Sequence, residues 1–213
     1  QLTVILGEGH RLARGWPMYK LRFQLVIVLG FLTLSACSMF GDINVKIAPF
    51  ELIEADGAFA LRHYEQLVLV GTKMPEGMNS ASGPFRRIFD YISGNNEQKE
   101  QIAMTAPVFL DQEGYSTEHM SFVLPGALTL KTAPPPLETE VHLTELSDYT
   151  VAVVTFSGFL NQKTISTNRT LLENWIVERG LKITGPAKAA GYNPPFTLPF
   201  LRRNEVFIPI ERP

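Results

Sequence analysis

The chain has 213 residues, of which 45% are hydrophobic and 19% are charged, and its formal net charge is -2 at pH 7. This composition is typical of a globular protein with one core, or at most two small ones, and it excludes a largely disordered chain. Phosphate contacts need a concentrated basic surface, so the composition predicts no nucleic-acid partner.

The first part of the chain predicts an export signal over residues 1–36. Lys20 and Arg22 precede an apolar run at residues 23–34, and small residues follow it. The run is shorter than the roughly 20 residues that a spanning helix needs, which favours a cleaved signal. Met18 begins a compact signal of this kind and is a candidate start of the translated chain.

The sequence "LSAC" at residues 34–37 resembles a bacterial lipobox, and it ends with Cys37, the only cysteine of the chain. The resemblance implies that Cys37 carries lipid and that residues 37–49 are the lipidated end and its tether. Ser38 is similar to the residue that sorts such proteins to the outer membrane. We therefore expect a lipid-anchored protein of the cell envelope, on the outer membrane and facing the periplasm. A plain signal peptide and an internal buried thiol are the alternatives.

Two strands and a helix are predicted at the start of the remaining domain, residues 50–213. The segments "FELIEA" and "FALRHYEQLVLVGTKM" have the composition and flanking turns of strands. In "SGPFRRIFDYISGNN" the apolar residues recur at helical spacing, and Gly94 can end the helix in a left-handed conformation. The apolar residues are Phe85, Ile88, Phe89 and Ile92.

Strands resume at "APVFLDQ" and "HMSFVLP", and a proline-rich link follows at residues 132–138. The order then repeats, beginning with the segments "EVHLTELSD" and "YTVAVVTFSGFL", which are expected to form a hairpin. "STNRTLLENWIVERG" predicts a second helix that ends at Gly180, and "EVFIPIE" a last strand. Neither half has enough apolar surface to fold alone, so we predict one α+β domain.

Motifs for the common chemistries are absent from the sequence. The four histidines lack metal-binding spacing, and a single cysteine excludes CxxC zinc sites and CxxCH haem attachment. The chain also has no GxSxG, P-loop or GxGxxG motif. We therefore predict no preassembled metal site and no enzyme, although carboxylates or a Ser–His pair assembled in space leave no local pattern.

His63 is the histidine with a candidate role. It lies in the alternating segment "ALRHYEQ", on the strand face that also carries Leu61. One interpretation is a half-exposed strand histidine. The other is an axial iron ligand, because neutral imidazole binds such metals near pH 7. Met104 is a candidate second ligand, with a core methionine as the alternative.

Four segments resemble the SOUL haem-binding protein family. They are "FALRHYEQ", "FRRIFDYISGNN", "IAMTAPV" and "GYNPPFTLPFLRRNEV", and the match runs over about residues 50–211. The resemblance implies a distorted antiparallel β-barrel of eight or nine strands, flanked by two helices and arranged as a pseudo-twofold pair of repeats. It also implies non-covalent binding of haem or another tetrapyrrole, in an apolar groove near the first helix and the proline-rich segment before the last strand.

The resemblance also implies candidate site residues. Some members with "RHY" at this point are proposed to use its histidine as the axial ligand, which implies that role for His63. Members that hold haem without a histidine are thought to meet the propionates with basic side chains of the first helix and the proline-rich loop. Here the helix offers Arg86 and Arg87, but Asp90 opposes them, and the loop has Thr197. The candidate pocket residues are Phe85, Arg86, Phe89, Phe196 and Phe200.

The sequence therefore predicts a haem-binding envelope lipoprotein that is not an enzyme and whose iron enters only with the haem. Its expected partners are the tetrapyrrole and, through Cys37, a membrane, and the sequence identifies no protein partner. Two alternatives remain. One is a small hydrolase acting on an amphipathic substrate, and the other is an envelope protein-interaction module that has kept the fold without haem.

Overall fold

The structure is a computed structural model that describes residues 45–75, 82–113 and 116–213. The predicted signal peptide, Cys37 and most of the predicted tether lie outside these residues. No helix in the described part of the chain is long and apolar enough to cross a membrane.

The described residues form nine strands and two helices. The strands are β1 (Lys46–Ile47), β2 (Glu51–Asp56), β3 (Phe59–Lys73), β4 (Thr105–Ala106), β5 (Val108–Glu113), β6 (Ser116–Val123), β7 (Val141–Phe156), β8 (Lys188–Gly191) and β9 (Asn204–Pro209). The helices are α1 (Ser82–Ile92) and α2 (Gln162–Glu178), and a short 3-10 turn, Pro199–Leu201, precedes β9.

Six antiparallel strands close into a barrel in the order β3, β6, β5, β8, β9 and β7, with β7 pairing back onto β3. β2 is an extra strand on the first part of β3, and β1 and β4 form a separate parallel pair. The predicted distorted antiparallel barrel with two helices is therefore confirmed. Of the nine strands in the described residues, six close the barrel.

β7 is one continuous strand, so the predicted hairpin between "EVHLTELSD" and "YTVAVVTFSGFL" is wrong. The polar residues expected to form its turn include Asp148, whose φ of 50° distorts the strand without reversing it. Leu146 and Tyr149 both pack toward the barrel interior, although they are three residues apart. The distortion lets the strand change face there, and this is why the local pattern resembled two strands.

The predicted duplication of element order is also present. β3, α1, β5 and β6 form the first series, and β7, α2, β8 and β9 form the second. The long strands β3 and β7 run antiparallel along each other, from the pair Phe59 and Val154 to the pair Thr72 and Val141. Each helix follows its long strand and covers the outside of the barrel.

The two helices end where the sequence predicts. Gly94 has a φ of 109° and Gly180 a φ of 65°, the left-handed conformation that glycine adopts at helix ends. α2 begins earlier than predicted because Asn161 caps it. The Asn161 side chain accepts from the Thr164 backbone N–H, and the Thr164 hydroxyl accepts from the Asn161 N–H.

The barrel interior is filled by side chains of its own strands. Tyr64, Phe109 and Phe207 pack there, and the ring centroids of Phe109 and Phe207 are 5.2 Å apart. Two further apolar cores lie outside the barrel, one under α1 around Ile88 and one under α2 around Leu172. A flat ligand therefore has to bind outside the barrel interior.

Pro107 separates two strands that have different partners. β4 ends at Ala106 and pairs with β1, whereas β5 begins at Val108 and pairs with β6 and β8. The Ala106–Pro107 bond is cis. Proline has no N–H to donate to a neighbouring strand, so the sequence correctly places a break before β5.

Candidate functional site

A cleft of about 390 Å³ lies between the segment that contains β1 and β2 and the middle of β3. Its walls are mixed, with slightly more polar than apolar surface, and the Glu51 and Glu65 carboxylates add negative charge. The apolar side chains belong to both the N-terminal segment and the turn after β6. Its lining residues include Pro49, Phe50, His63, Leu67, Leu124 and Leu128.

His63 lines this cleft with a side chain that is 7% exposed. Its Nδ1 is 3.0 Å from Oγ1 of Thr150, its cross-strand partner in β7. Its Nε2 is 3.7 Å from Oδ1 of the exposed Asp148, which is too long for a hydrogen bond. In the tautomer protonated at Nδ1, the ring donates to Thr150 and keeps a lone pair on Nε2. Metal-ligating histidines commonly have this arrangement.

A buried charge cluster lies on the opposite face of the same strand. Arg62 donates to both oxygens of Glu205 at 2.9 and 3.0 Å, and the two side chains are 7% and 0% exposed. Tyr192 and Arg203 also donate to this carboxylate, at 2.6 and 2.7 Å. Burial raises the pKa of Glu205, but Arg62, Tyr192 and Arg203 together outweigh burial and lower it overall. Glu205 is therefore ionised at neutral pH.

The charge cluster also supports one wall of the cleft. The Arg62 guanidinium carbon lies 4.6 Å from the centroid of the Phe50 ring, a cation–π distance, and Phe50 lines the cleft. The Phe50 ring also packs against Tyr64, with centroids 5.6 Å apart. Burial raises the pKa of Tyr64 to about 12, so this ring is neutral. Glu205 thus holds Arg62, and Arg62 helps to hold Phe50.

α1 carries three of the predicted pocket residues on its surface. Phe85 and Phe89 stack with ring centroids 6.1 Å apart, and they are 37% and 44% exposed. Phe85 also packs on Phe122 of β6, at 5.2 Å. Arg86 is 84% exposed and lies 3.9 Å from Asp90, so the basic and acidic groups noted in the sequence are neighbours. These residues form an exposed aromatic surface that is separate from the cleft lining.

The other two predicted pocket residues lie in the segment before β9. Phe196 is 85% exposed and Phe200 is 70% exposed. Neither belongs to the lining of the cleft, and in the described part of the chain neither ring stacks on another aromatic ring. The roles predicted for the aromatic residues therefore remain predictions, and the structure distributes these residues over two surfaces.

The remaining sequence predictions concern metal and lipid. Within residues 45–75, 82–113 and 116–213, no group of three His, Cys, Asp or Glu side chains is placed to hold a metal ion. Met104, the candidate second ligand, is 43% exposed. Cys37, the predicted lipidation site, lies outside the described residues.

Several residues around His63 could not be identified from the sequence. Thr150 is 87 positions away in the chain, and only the pairing of β3 with β7 brings it to the imidazole. Glu205 lies in the stretch "RRNEVFIP", where its burial was indicated only by the apolar residues that follow it. Phe50 lies at the start of the first predicted strand, and nothing local marks it as a cleft residue.

Solved structures with the same architecture are found at low sequence identity. The C-terminal domain of EcmrR aligns with a TM-score of 0.54 at 12% identity, covering 73% of this chain and 98% of that domain. A hydrolase from Listeria innocua aligns with a TM-score of 0.56 at 7% identity, covering 75% of this chain and 94% of that one. Identities this low support a shared fold and carry no function across.

Sequence comparison identifies the family. "Heme-binding protein 2" of Homo sapiens is 31% identical over 176 residues, covering 76% of this chain and 82% of the relative. The protein of the same name from Mus musculus is 27% identical over 169 residues, with the same two coverages. The model of the family described as "SOUL heme-binding protein" matches residues 45–209. The chain therefore belongs to the SOUL haem-binding protein family.

Proposed function

We propose that this chain binds haem or another tetrapyrrole non-covalently in the His63 cleft, with His63 as the axial ligand. The observation that carries the proposal is the position of His63 in the cleft wall. Thr150 holds its Nδ1, and among the described residues its Nε2 has no hydrogen-bond partner. Family membership supports the ligand class, since the curated relatives are named for binding haem.

The size and walls of the cleft fit part of such a ligand. A volume of about 390 Å³ lies within the range of roughly 300–1,000 Å³ that small-molecule sites occupy. Pro49, Phe50 and Leu128 offer apolar surface to a flat macrocycle, whereas Leu67 and Leu124 are almost fully buried. Glu51 and Glu65 disfavour a ligand carboxylate beside them, because like charges repel. The acidic edge of the ligand is therefore expected to point away from these two residues.

The chain's own residues would hold and orient the ligand. Thr150 fixes the imidazole ring of His63, and Arg62 packs on Phe50 in the cleft wall. The bound haem would supply the iron. We propose a binding function without catalysis, and a hydrolase or a protein-interaction module remains the alternative.

We further propose that the domain works at the cell envelope, attached through lipid on Cys37. The lipobox-like "LSAC" after an apolar run supports this part of the proposal. Buried acyl chains contribute roughly 0.8 kcal/mol per methylene, so several chains hold a protein at a bilayer.

A haemin titration tests the binding proposal, with a variant that fills the cleft. Gly126 lines the cleft, and a Cβ added there would meet only Pro49, at 4.0 Å. We expect residues 38–213 to give a saturable Soret shift, and Gly126→Leu to weaken binding by at least about tenfold, because the leucine occupies space the ligand needs. The readout is the absorbance spectrum at each haemin concentration.

The control for this titration is Gly83→Leu. Gly83 lies in α1, and a Cβ added there meets nothing within 4 Å. This variant is expected to bind as the wild type does. Equal affinities for Gly126→Leu and the wild type would place the ligand elsewhere, and a flat wild-type titration would remove haem as the ligand.

Metabolic labelling with palmitate tests the anchor. We expect the wild-type chain to incorporate the label in a bacterial host and Cys37→Ala to lose it, because the chain has no other thiol. Label that persists in Cys37→Ala, or a wild-type chain without label, would contradict the lipobox.

A further inference from the structure

An exposed apolar surface lies at one end of the barrel, and we call it the aromatic tip. It combines the turn after β7 with the segment before β9, and the Gly158 N–H donates to the Pro199 carbonyl oxygen at 2.8 Å between them. Exposed apolar residues that form a patch mark interaction sites more often than isolated ones do. The tip consists of Phe159 (59% exposed), Phe196 (85%), Leu198 (54%), Phe200 (70%) and Leu201 (38%).

The backbone beneath the aromatic tip is held in place. Arg202 donates to the carbonyl oxygens of Thr197 and Pro195 at 2.7 and 2.5 Å, and Thr197 itself is buried. The Arg202 guanidinium also lies 5.5 Å from the centroid of the Phe159 ring. These contacts fix the backbone that carries the exposed rings, which lowers the entropy lost on binding.

The aromatic tip lies at the end of the barrel where the described chain begins. β1 pairs with β4, which directly precedes Val108, the first residue of β5. Val108 pairs with Gly191, Gly191 with Asn204, and Asn204 with Phe156. The segments that carry the tip follow Phe156 and Gly191 and precede Asn204. The start of the domain and the tip therefore share one end.

The proposed lipid anchor would keep that end near a bilayer. Cys37 is eight residues before Val45, the first described residue. At no more than about 3.5 Å per residue, the intervening chain reaches roughly 28 Å. If the anchor is at Cys37, as proposed above, the end of the barrel with the tip has to stay close to the membrane.

The charge around the tip favours an anionic lipid surface. Lys163 and Arg202 are the basic residues beside the tip, and neither forms an ion pair with the residues that the structure describes. The other basic residues of the segments that carry the tip, residues 149–172 and 179–204, are each paired with a carboxylate: Arg169, Arg179, Lys182, Lys188 and Arg203. The domain as a whole is acidic, since residues 37–213 hold 15 basic and 20 acidic residues. Basic residues beside exposed aromatic rings are typical of surfaces that bind the membrane interface, where each Lys or Arg contributes attraction to anionic lipid.

We infer that the aromatic tip inserts into the interface of an anionic lipid bilayer and orients the domain on the membrane. The inference rests on the proposed envelope location, and it assigns Phe159, Phe196 and Phe200 to contact with lipid. The acyl anchor supplies attachment, and the tip fixes which face of the domain meets the bilayer.

A depth measurement tests the inference without relying on Cys37. Residues 41–213 form a compact unit of their own that contains all three described cores, and this fragment has no cysteine. An N-terminal hexahistidine tag would tether it to vesicles of phosphatidylcholine, phosphatidylglycerol and a nickel-chelating lipid. Phe196→Cys and, as control, Val177→Cys would each carry the fluorophore NBD. Val177 is 73% exposed near the end of α2, far along that helix from the tip.

We expect NBD at position 196 to shift to shorter wavelength and to be quenched by spin-labelled lipid, while NBD at position 177 keeps its emission in water. Equal, water-like emission at both positions would overturn the inference. A shift at position 196 that grows with protein concentration without vesicles would also overturn it, because a second copy would then cover the tip. Since the tag supplies the tether, neither outcome bears on lipidation of Cys37.

A second measurement uses the untethered fragment in vesicle flotation. Phe196→Ser/Phe200→Ser removes two of the most exposed rings of the tip and is expected to lower partitioning by about tenfold, because less apolar surface is buried. Val177→Ser removes an exposed apolar side chain elsewhere and is expected to change nothing. Equal partitioning of the double variant and the wild type would overturn the inference.

Discussion

At the scale of single residues, Glu205 connects the interior of the barrel to the candidate site. Its carboxylate is fully buried and accepts hydrogen bonds from Arg62, Arg203 and Tyr192. A buried ion pair adds little over an apolar replacement, but removing one partner leaves an uncompensated charge. Loss of the Glu205 charge would therefore leave the buried Arg62 guanidinium without a counter-charge. It would also weaken the contact of Arg62 with Phe50 in the cleft wall.

Glu205→Gln is expected to destabilise the domain by about 3–5 kcal/mol at pH 7, since Arg62 loses its buried counter-charge. The folded pKa of Glu205 lies below its usual value of 4.5. This contribution is therefore present above pH 4.5 and is lost as the pH falls through the folded pKa. Urea denaturation at several pH values should show the difference between wild type and variant shrinking in acid. The exposed Glu97→Gln serves as the control, and a difference that is constant down to low pH would contradict this role.

Sequence alone predicts some single residues and misses others for a physical reason. His63 was identified from its strand context and from a motif, both of which are local. Thr150 and Glu205 act through contacts with residues 87 and 143 positions away, so no local pattern contains them. Such partners become visible only once the strand pairing is known.

At the scale of elements, α2 is held mainly by its buried face. Leu172 is 0% exposed and packs in the core between the helix and the barrel, whereas its neighbour Leu171 is 50% exposed. A helix of this length depends on such packing more than on intrinsic helix propensity. Substitution of Leu172 is therefore expected to lower the stability of the domain far more than substitution of Leu171.

Leu172→Ala is expected to lower the free energy of unfolding by about 2–5 kcal/mol, because it leaves a cavity in a closed core. Leu171→Ala is expected to change it by less than about 0.5 kcal/mol, since its side chain already meets water. Urea unfolding followed by circular dichroism measures both. Similar losses for the two variants would mean that α2 does not pack as described.

Elements whose apolar residues recur at a clear helical spacing were predicted well. Strands that contain a turn-like residue or lack strong strand formers were not. α1 and α2 follow a helical spacing and end near glycines, so their existence and ends were correct. β7 was divided into two strands because Asp148 resembles a turn residue, although its backbone distortion leaves the strand continuous. β8 was missed because "KAAG" is four residues long and has no strong strand former.

At the scale of the whole molecule, the filled barrel decides where a ligand can bind. The duplicated long strands β3 and β7 pair along most of their length, and aromatic side chains fill the barrel interior. The family resemblance predicted the barrel and the duplication, which depend on element order. It could not predict that His63 would face a cleft beside the N-terminal segment, because that cleft depends on where residues 48–51 lie against β3.

Haem binding in this cleft depends on His63 acting as the iron ligand. The most direct test is an imidazole titration of haem-loaded His63→Gly, with His142→Gly as control because His142 is an exposed histidine of β7. We expect His63→Gly to lose the wild-type Soret spectrum and to regain it as imidazole enters the vacated space, while His142→Gly keeps the wild-type spectrum throughout. A His63→Gly spectrum identical to that of the wild type before imidazole is added would show that His63 does not ligate the iron.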